Sequence, residues 1–163
     1  MAASLDDLAS NLTASDFQTI HQMYPSNNEF SLLNRKGVFP YEYLNSLGRL
    51  EETSLPSREE FFSRLTNKQC SVDDYEHAVK VWQTFNCQTL NDYMLLYLKT
   101  DVLILADIFE NFRKVCKNIY ELDPCQYYTA PGLSWDAMLK TTQIELELFT
   151  DIDMYMICSC RKV

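Results

Sequence analysis

A long amphipathic pattern in the second half of the chain constrains the fold more than any other feature. Apolar side chains recur at helical spacing from Thr89 to about Tyr120, and basic residues favour the C-terminal end of this segment. The pattern consists of Leu90, Tyr93, Met94, Tyr97, Leu98, Asp101, Val102, Leu105, Ile108, Phe109 and Phe112. It predicts one long helix over 89–120, with Asp101 inside the apolar stripe and not opposite it.

The composition agrees with a helical chain. Its 163 residues are 47% hydrophobic, which is enough for one domain with a core. The chain has only 3 glycines and 5 prolines, which argues against an all-β sandwich with many tight turns and against a disordered segment. Helix is therefore expected to dominate.

Serines mark the expected starts of further helices. The local sequences predict helices that begin at Ser4, Ser57, Ser71 and Ser134. The helix over 71–85 has acids in its first turn and an apolar face, and Glu60 stands at the capping-box position for the helix at Ser57. Pro131 and Gly132 predict a break before the last helix, which would start at Trp135.

The charge balance limits the function classes. The net charge is -9 and the pI is near 4.6, the wrong sign for a free-standing nucleic-acid binder, so any DNA contact must be local. No basic N-terminal region precedes a long apolar run, and no window approaches the ~18 apolar residues of a membrane span. We expect a soluble intracellular protein, in the nucleus or cytoplasm, without a membrane partner.

The cysteines are expected to be reduced. They are Cys70, Cys87, Cys116, Cys125, Cys158 and Cys160. Their spacing is irregular, and no export signal directs them to an oxidising compartment. Only one residue separates the last two, and His21 and His77 are the only histidines available to join them, so no structural zinc site is expected there.

Tyr97 and Asp101 form the most informative pair. In a helix, positions i and i+4 lie on one face, so the hydroxyl and the carboxylate point the same way. An unpaired buried charge is expensive, so such a carboxylate caps another helix, pairs with a base such as Lys99 or its neighbours, or binds a metal. The pair by itself does not decide between these roles.

The residues around this pair carry a family resemblance. The stretch "YLKTDVLILADIFENF" resembles the third exonuclease motif of family B DNA polymerases, a tyrosine and, four positions on, an aspartate. More of the chain, from about Ser4 to Met156, is similar to the protein-primed family B polymerases of Polinton-type mobile elements and related viruses. The segments are "LLNRKGVFPYEYL", "DYEHAVKVW", "YLKTDVLILADIFENFRKVC", "YYTAPGLSWDAMLK" and "ELELFTDIDMYM".

The resemblance implies roles for individual residues. In the family, a 3′→5′ proofreading exonuclease holds two divalent ions, Mg²⁺ or Mn²⁺, between carboxylates. Asp101 would be a catalytic metal ligand, and Tyr97 would orient the attacking water. Lys36, with Phe39 three positions on, resembles a lysine motif that contacts phosphate. Ser4 and Leu5 resemble a motif that lines the single-strand path and would bind DNA.

The resemblance also implies a fold and a division of the chain. It implies an α/β fold, mainly helical: the C-terminal part of an RNase H-like exonuclease domain over 1–122, then a linker and the start of a polymerase domain over 123–163. The first two exonuclease motifs are expected before Ser4, and the polymerase motifs are missing. We therefore predict a fragment with no activity of its own and no bound metal, whose parent acts on DNA with a terminal protein as primer.

Other interpretations remain open. The chain could be a helical interaction module derived from a mobile element, which binds a protein partner, or one part of a split enzyme that another chain completes. Lys36 could be a solvated lysine. The aromatic residues Tyr127, Tyr128 and Trp135 could stack on bases or simply pack a core or a domain junction.

Overall fold

The chain is mainly helical, as predicted. The computed structural model describes residues 4–147, 150–154 and 156. In this part of the chain the α-helices are α1 (Leu5–Ala9), α2 (Gln18–Met23), α3 (Asn27–Leu33), α4 (Val72–Thr84), α5 (Leu90–Tyr120) and α6 (Ala130–Thr142), and short 3-10 helices lie at Leu47–Glu51, Arg58–Phe61 and Pro124–Gln126. The described residues form no β-strand, only an isolated antiparallel bridge between Ser63 and Lys68. The strands of the predicted α/β fold are therefore not found among them.

The chain divides into two compact units, Met1–Phe112 and Arg113–Val163. The division proposed from the sequence, into an exonuclease part over 1–122 and a polymerase part over 123–163, concerns function and stays a prediction.

One face of α5 carries the core of the first unit. Its buried side chains are Leu90, Tyr93, Leu96, Tyr97, Thr100, Ile104 and Asp107. Helices α1 to α4 contribute Ala9, Ile20, Leu33, Ala78 and Val81 to the same cluster. Removing a large apolar side chain such as Ile104 from water contributes roughly 1.5–3 kcal/mol, so this face holds the first unit together.

A second face of α5 is apolar but exposed. Leu98, Val102, Leu105, Phe109 and Phe112 all keep two fifths or more of their surface accessible. The apolar residues of the sequence pattern therefore lie on two faces of α5, and only one of these faces packs against the core. Periodicity alone does not separate them, because a helix that is apolar on most sides shows a broad stripe.

Asp107 holds the start of α2 in place. It is 1% exposed, and its two carboxylate oxygens accept hydrogen bonds from the backbone N–H groups of Thr19 (2.7 Å) and Ile20 (3.1 Å). The residue before α2, Phe17, supplies no side-chain cap. Asp107 therefore replaces the local cap and satisfies two of the free N–H groups at the helix start.

Of the four serines predicted to cap helices, Ser4 and Ser71 do so, and Ser57 and Ser134 do not. Ser4 forms a capping box with Asp7 at the start of α1, and the Ser71 hydroxyl accepts from the backbone N–H of Asp74 at the start of α4. After Ser57 the chain forms a 3-10 helix, and the serine makes no side-chain capping bond. The predicted capping box is therefore absent at that position.

The predicted start of the last helix is also wrong. Helix α6 begins five residues before Trp135, and Thr129 caps it by accepting from the backbone N–H of Gly132. Pro131 lies in the first turn, where a missing N–H costs nothing because that group has no partner inside the helix. The proline that predicted a break thus helps to start the helix, and Ser134 lies inside it.

In the second unit, the Asp123 carboxylate pairs with two cationic side chains. Arg113 donates to both of its oxygens (3.0 and 2.9 Å), and the Lys117 ammonium lies 2.9 Å from one of them. The backbone N–H of Cys125 also donates to this carboxylate. These bonds hold the pKa of Asp123 well below its usual range.

Four cysteines, Cys70, Cys87, Cys116 and Cys125, are free thiols. Cys158 and Cys160 lie outside the described residues.

Among the helices that the structure describes, none is both long and apolar enough to span a bilayer.

Candidate functional site

Tyr97 and Asp101 meet on the buried side of α5. The Tyr97 ring is 6% exposed. Its hydroxyl accepts a hydrogen bond from the hydroxyl of Tyr41 (2.9 Å). The Asp101 carboxylate lies near enough to the Tyr97 hydroxyl to act on it through its charge. Tyr41, Tyr97 and Asp101 therefore lie together at this point of the helix.

The surroundings keep Tyr97 protonated. Burial first, and then the neighbouring Tyr41 and Asp101 side chains, raise the pKa of the Tyr97 phenol. Removing its proton would place a second negative charge beside the carboxylate in a site with little water. Tyr97 is therefore a permanent donor and acceptor of hydrogen bonds in this site.

One oxygen of Asp101 has no partner. Its Oδ1 atom is buried and accepts no hydrogen bond among the described residues. Buried polar atoms are nearly always satisfied, so an unsatisfied carboxylate oxygen indicates a ligand, a water molecule or an ion. The chemistry of this oxygen fits a Mg²⁺ or Mn²⁺ ion, since hard cations prefer carboxylate oxygens.

The described residues do not complete a metal site around Asp101. They contain no group of three or more His, Cys, Asp or Glu side chains that could hold an ion. Asp101 can thus provide one ligand, and the others must come from elsewhere.

Lys36 lies on a groove that Tyr97 also lines. This groove has a volume of about 530 Å³, within the usual range of ligand clefts. The segment that carries Lys36 is anchored by Phe39, which is buried and packs against the Tyr97 ring with centroids 5.5 Å apart. At Gly37, an added Cβ would lie 3.5 Å from the Tyr97 ring. In the segment "KGVF", the phenylalanine is therefore buried and the lysine lies on the groove.

Ser4 and Leu5 do not line this groove. The Ser4 hydroxyl is engaged in the capping box of α1, and Leu5 packs against the core of the first unit. The residue of α1 that lines the groove is Asp6. The predicted contact of Ser4 and Leu5 with DNA stays a prediction.

The aromatic residues of the second unit lie in different surroundings. The Tyr127 hydroxyl donates to Asp136 (2.8 Å). Tyr128 is fully exposed, and Trp135 is half exposed. Base stacking by these rings stays a hypothesis.

Sequence reasoning missed two residues that shape the site. Tyr41 follows Lys36 by five positions and reaches the Tyr97 hydroxyl only through the tertiary fold, so no local pattern indicates it. Lys68 lines the same groove from a separate turn. In the sequence, Lys68 stands among polar residues that are typical of a turn. Lysines in turns are common, so this position alone does not indicate a functional role.

The comparisons with known proteins give one match. The family model of organellar and viral type B DNA polymerases matches residues 19–159. Comparison with curated proteins gave no match, and comparison with solved structures gave none.

Proposed function

This chain belongs to the organellar and viral type B DNA polymerases, and from that premise we propose that it carries part of a 3′→5′ proofreading exonuclease site that acts on DNA. The matched region includes Lys36, Tyr97 and Asp101. The observation that carries the proposal is the buried, unsatisfied Oδ1 atom of Asp101 beside the Tyr97 hydroxyl, whose pKa is raised.

In this proposal Asp101 supplies one ligand to a Mg²⁺ or Mn²⁺ site. Such an ion, when bound, stabilises the negative charge that develops during phosphodiester cleavage. The remaining carboxylates would come from residues outside the described part of this chain or from another chain. The described residues alone would therefore cleave DNA poorly, because a two-metal site needs several carboxylates.

Tyr97 would position the attacking water. A phenol has one proton and two acceptor lone pairs. Tyr41 takes one lone pair of the Tyr97 oxygen, so the second lone pair could accept a hydrogen bond from water. Tyr41 would act as a positioning residue, since its bond fixes the orientation of the Tyr97 hydroxyl.

Lys36 would hold the strand by its phosphate. Its ammonium shows no ion pair or hydrogen bond in the described part of the chain.

We further propose an RNase H-like arrangement for the complete exonuclease domain and a protein-primed, Polinton-type parent polymerase, with a terminal protein as partner. The supporting evidence is the similarity of the segments around Lys36, Asp101 and Trp135.

The metal-ligand role is tested with the purified chain and Mn²⁺. Because the described residues supply only one carboxylate, we expect weak binding: an excess of paramagnetic Mn²⁺ should selectively broaden the NMR signals of residues around Asp101, and Asp101→Asn should abolish the effect. Asp136→Asn, an exposed aspartate of α6, is the matched control and should leave the broadening intact. Unselective broadening at many acidic residues would argue against a site at Asp101.

Cleavage is measured separately, as digestion of an end-labelled single strand with Mg²⁺ or Mn²⁺. We expect little digestion by the chain alone. Strong digestion that Asp101→Ala removes would keep the exonuclease assignment but disprove the proposal that further carboxylates are needed. Equal digestion by both proteins would indicate a contaminating nuclease.

The exposed apolar face of α5 supports a second candidate. Leu98, Val102, Leu105 and Phe109 present apolar surface that an interaction module could use for a protein partner. A chain that melts cooperatively but shows no Mn²⁺ effect at Asp101 would favour this candidate over the exonuclease site.

A further inference from the structure

We propose that Lys68 is a second phosphate-contacting residue of the groove that carries Lys36, so that a single DNA strand is held from two separate segments. This inference rests on the proposed function, since it takes the groove as the path of the strand. It adds a residue for which neither the spacing of the motifs nor the family match gives a role.

The groove is bordered by two segments that are distant in sequence. One is the stretch from Arg35 to Phe39, with Tyr41, and the other is a turn that includes Ser63, Thr66 and Lys68. Lysine side chains from two segments on one groove allow contacts to more than one phosphate along a strand.

The turn that presents Lys68 has a defined shape. The backbone groups of Ser63 and Lys68 exchange two hydrogen bonds, at 3.0 and 3.3 Å. The Ser63 hydroxyl also accepts from the backbone N–H of Thr66. Asn67 has a φ of 51°, the left-handed conformation that asparagine tolerates well. Lys68 therefore extends from a closed turn.

The turn is tied to the segment that carries Lys36. The backbone N–H of Arg64 donates to Glu42 (3.3 Å), and its guanidinium lies 3.4 Å from the same carboxylate. Glu42 follows Tyr41, which lines the groove. This contact holds the two segments at a set separation, which a strand contact from both of them requires.

The charges on the groove favour a polyanion. Arg35 and Asp74 pair with each other and largely cancel. Lys36 and Lys68 make no ion pair in the described residues, and Asp6 is the remaining acid on the groove. In a chain of net charge -9, this groove has a small positive excess. Because phosphate binding depends on local cations that release counterions, the groove is suited to a strand despite the acidic chain.

The test is the salt dependence of single-strand binding by the purified chain. A fluorescent oligo-dT is titrated without divalent ions, so that no cleavage occurs, over a series of NaCl concentrations. Each phosphate contact adds about 0.7 to the slope of log affinity against log salt for single strands. We expect Lys68→Gln and Lys36→Gln each to lower the slope by about 0.7 and the double variant by about 1.4.

Lys80→Gln is the matched control. Lys80 is an exposed lysine of α4 that does not line the groove, and its substitution changes the net charge by the same amount. We expect its slope to equal that of the unsubstituted chain. Circular dichroism melting of each variant checks that the fold is retained.

Two results would overturn the inference. If Lys68→Gln behaves like Lys80→Gln while Lys36→Gln lowers the slope, Lys68 is a solvated lysine and the proposed function stands. If the unsubstituted chain shows no salt-dependent binding, the groove is not a strand path. The Mn²⁺ experiment at Asp101 then decides independently whether the metal-ligand part of the proposed function survives.

Discussion

Asp107 and Asp101 lie on the same helix of the same unit, but their carboxylates have different surroundings. Both oxygens of Asp107 accept backbone N–H groups from the start of α2. Asp101 lies beside the Tyr97 hydroxyl, and its Oδ1 atom is buried without a partner. The residue type and the helix are thus shared, whereas burial and hydrogen bonding differ.

The difference separates a structural carboxylate from a candidate ligand. A buried carboxylate with satisfied oxygens stabilises the fold and has little capacity left for an ion. A carboxylate that has a buried oxygen without a hydrogen-bond partner lowers the stability of the fold. Such a loss of stability is typical of functional sites. The three predictions below test this contrast, from the largest expected effect to the smallest.

Substitution of the two aspartates by alanine should affect stability very differently. Asp107→Ala leaves the partly buried N–H group of Thr19 and the buried N–H group of Ile20 without acceptors, and we expect a loss of about 3 kcal/mol in the free energy of unfolding. Asp101→Ala removes an unsatisfied oxygen, so we expect a change of no more than about 1 kcal/mol. Urea unfolding measures both.

A Trp135→Phe background sharpens this measurement. Trp82, in the same unit as both aspartates, then becomes the only tryptophan reporter. Equal losses for the two alanine variants would contradict the contrast. Asp107→Asn, which keeps one acceptor oxygen, should give an intermediate loss.

The second prediction concerns coupling to Tyr97. Tyr97→Phe removes the hydroxyl that accepts from Tyr41 and lies beside Asp101, at a cost of about 1 kcal/mol in the free energy of unfolding. In a double-mutant cycle, Tyr97→Phe and Asp101→Asn should show a coupling energy of about 0.5–1 kcal/mol. The cycle of Tyr97→Phe with Asp107→Asn serves as the control and should be additive, because those residues share no partner.

The smallest effect is expected at His77, a partly buried side chain that can titrate. Its Nε2 lies 2.9 Å from the Leu32 carbonyl, and burial, with the charge of Arg35 second, lowers its pKa below the usual 6.5. The unfolded chain therefore binds this proton first as the pH falls. Stability should be full above the unfolded pKa and decrease as the pH falls below about 6.5.

Urea midpoints at pH 7.5 and 5.5 measure this effect. His77→Gln keeps a donor for the Leu32 carbonyl but cannot titrate, so its midpoint should change less between the two pH values. A larger pH dependence in the variant would contradict the prediction.

The sequence predicts elements whose signals are local. The 89–120 periodicity locates α5 to within one residue at its start, and the capping residues Ser4 and Ser71 mark α1 and α4 correctly. The start of α6 was predicted too late, because Pro131 was interpreted as a break and not as a first-turn residue. Local chemistry is reliable only when the position of a residue within the turn is known.

The site could be predicted only in part, for a similar reason. The i, i+4 spacing places Tyr97 and Asp101 together, and in the structure the two side chains are neighbours. Tyr41 and Lys68 join Tyr97 around the groove through the packing of distant segments, and no periodic pattern contains that information. The free oxygen of Asp101 is likewise a property of the packed core.

The cap that Asp107 provides for α2 has a consequence for the order of events during synthesis. Helix α2 has six residues, too few to be stable alone in water. Its first N–H groups find their acceptor 88 positions later in the chain. A ribosome therefore releases the residues of α2 long before the residue that fixes them, and the segment must stay unstructured until α5 has emerged and docked. The N-terminal part of this chain is therefore synthesised first but completes its folding late.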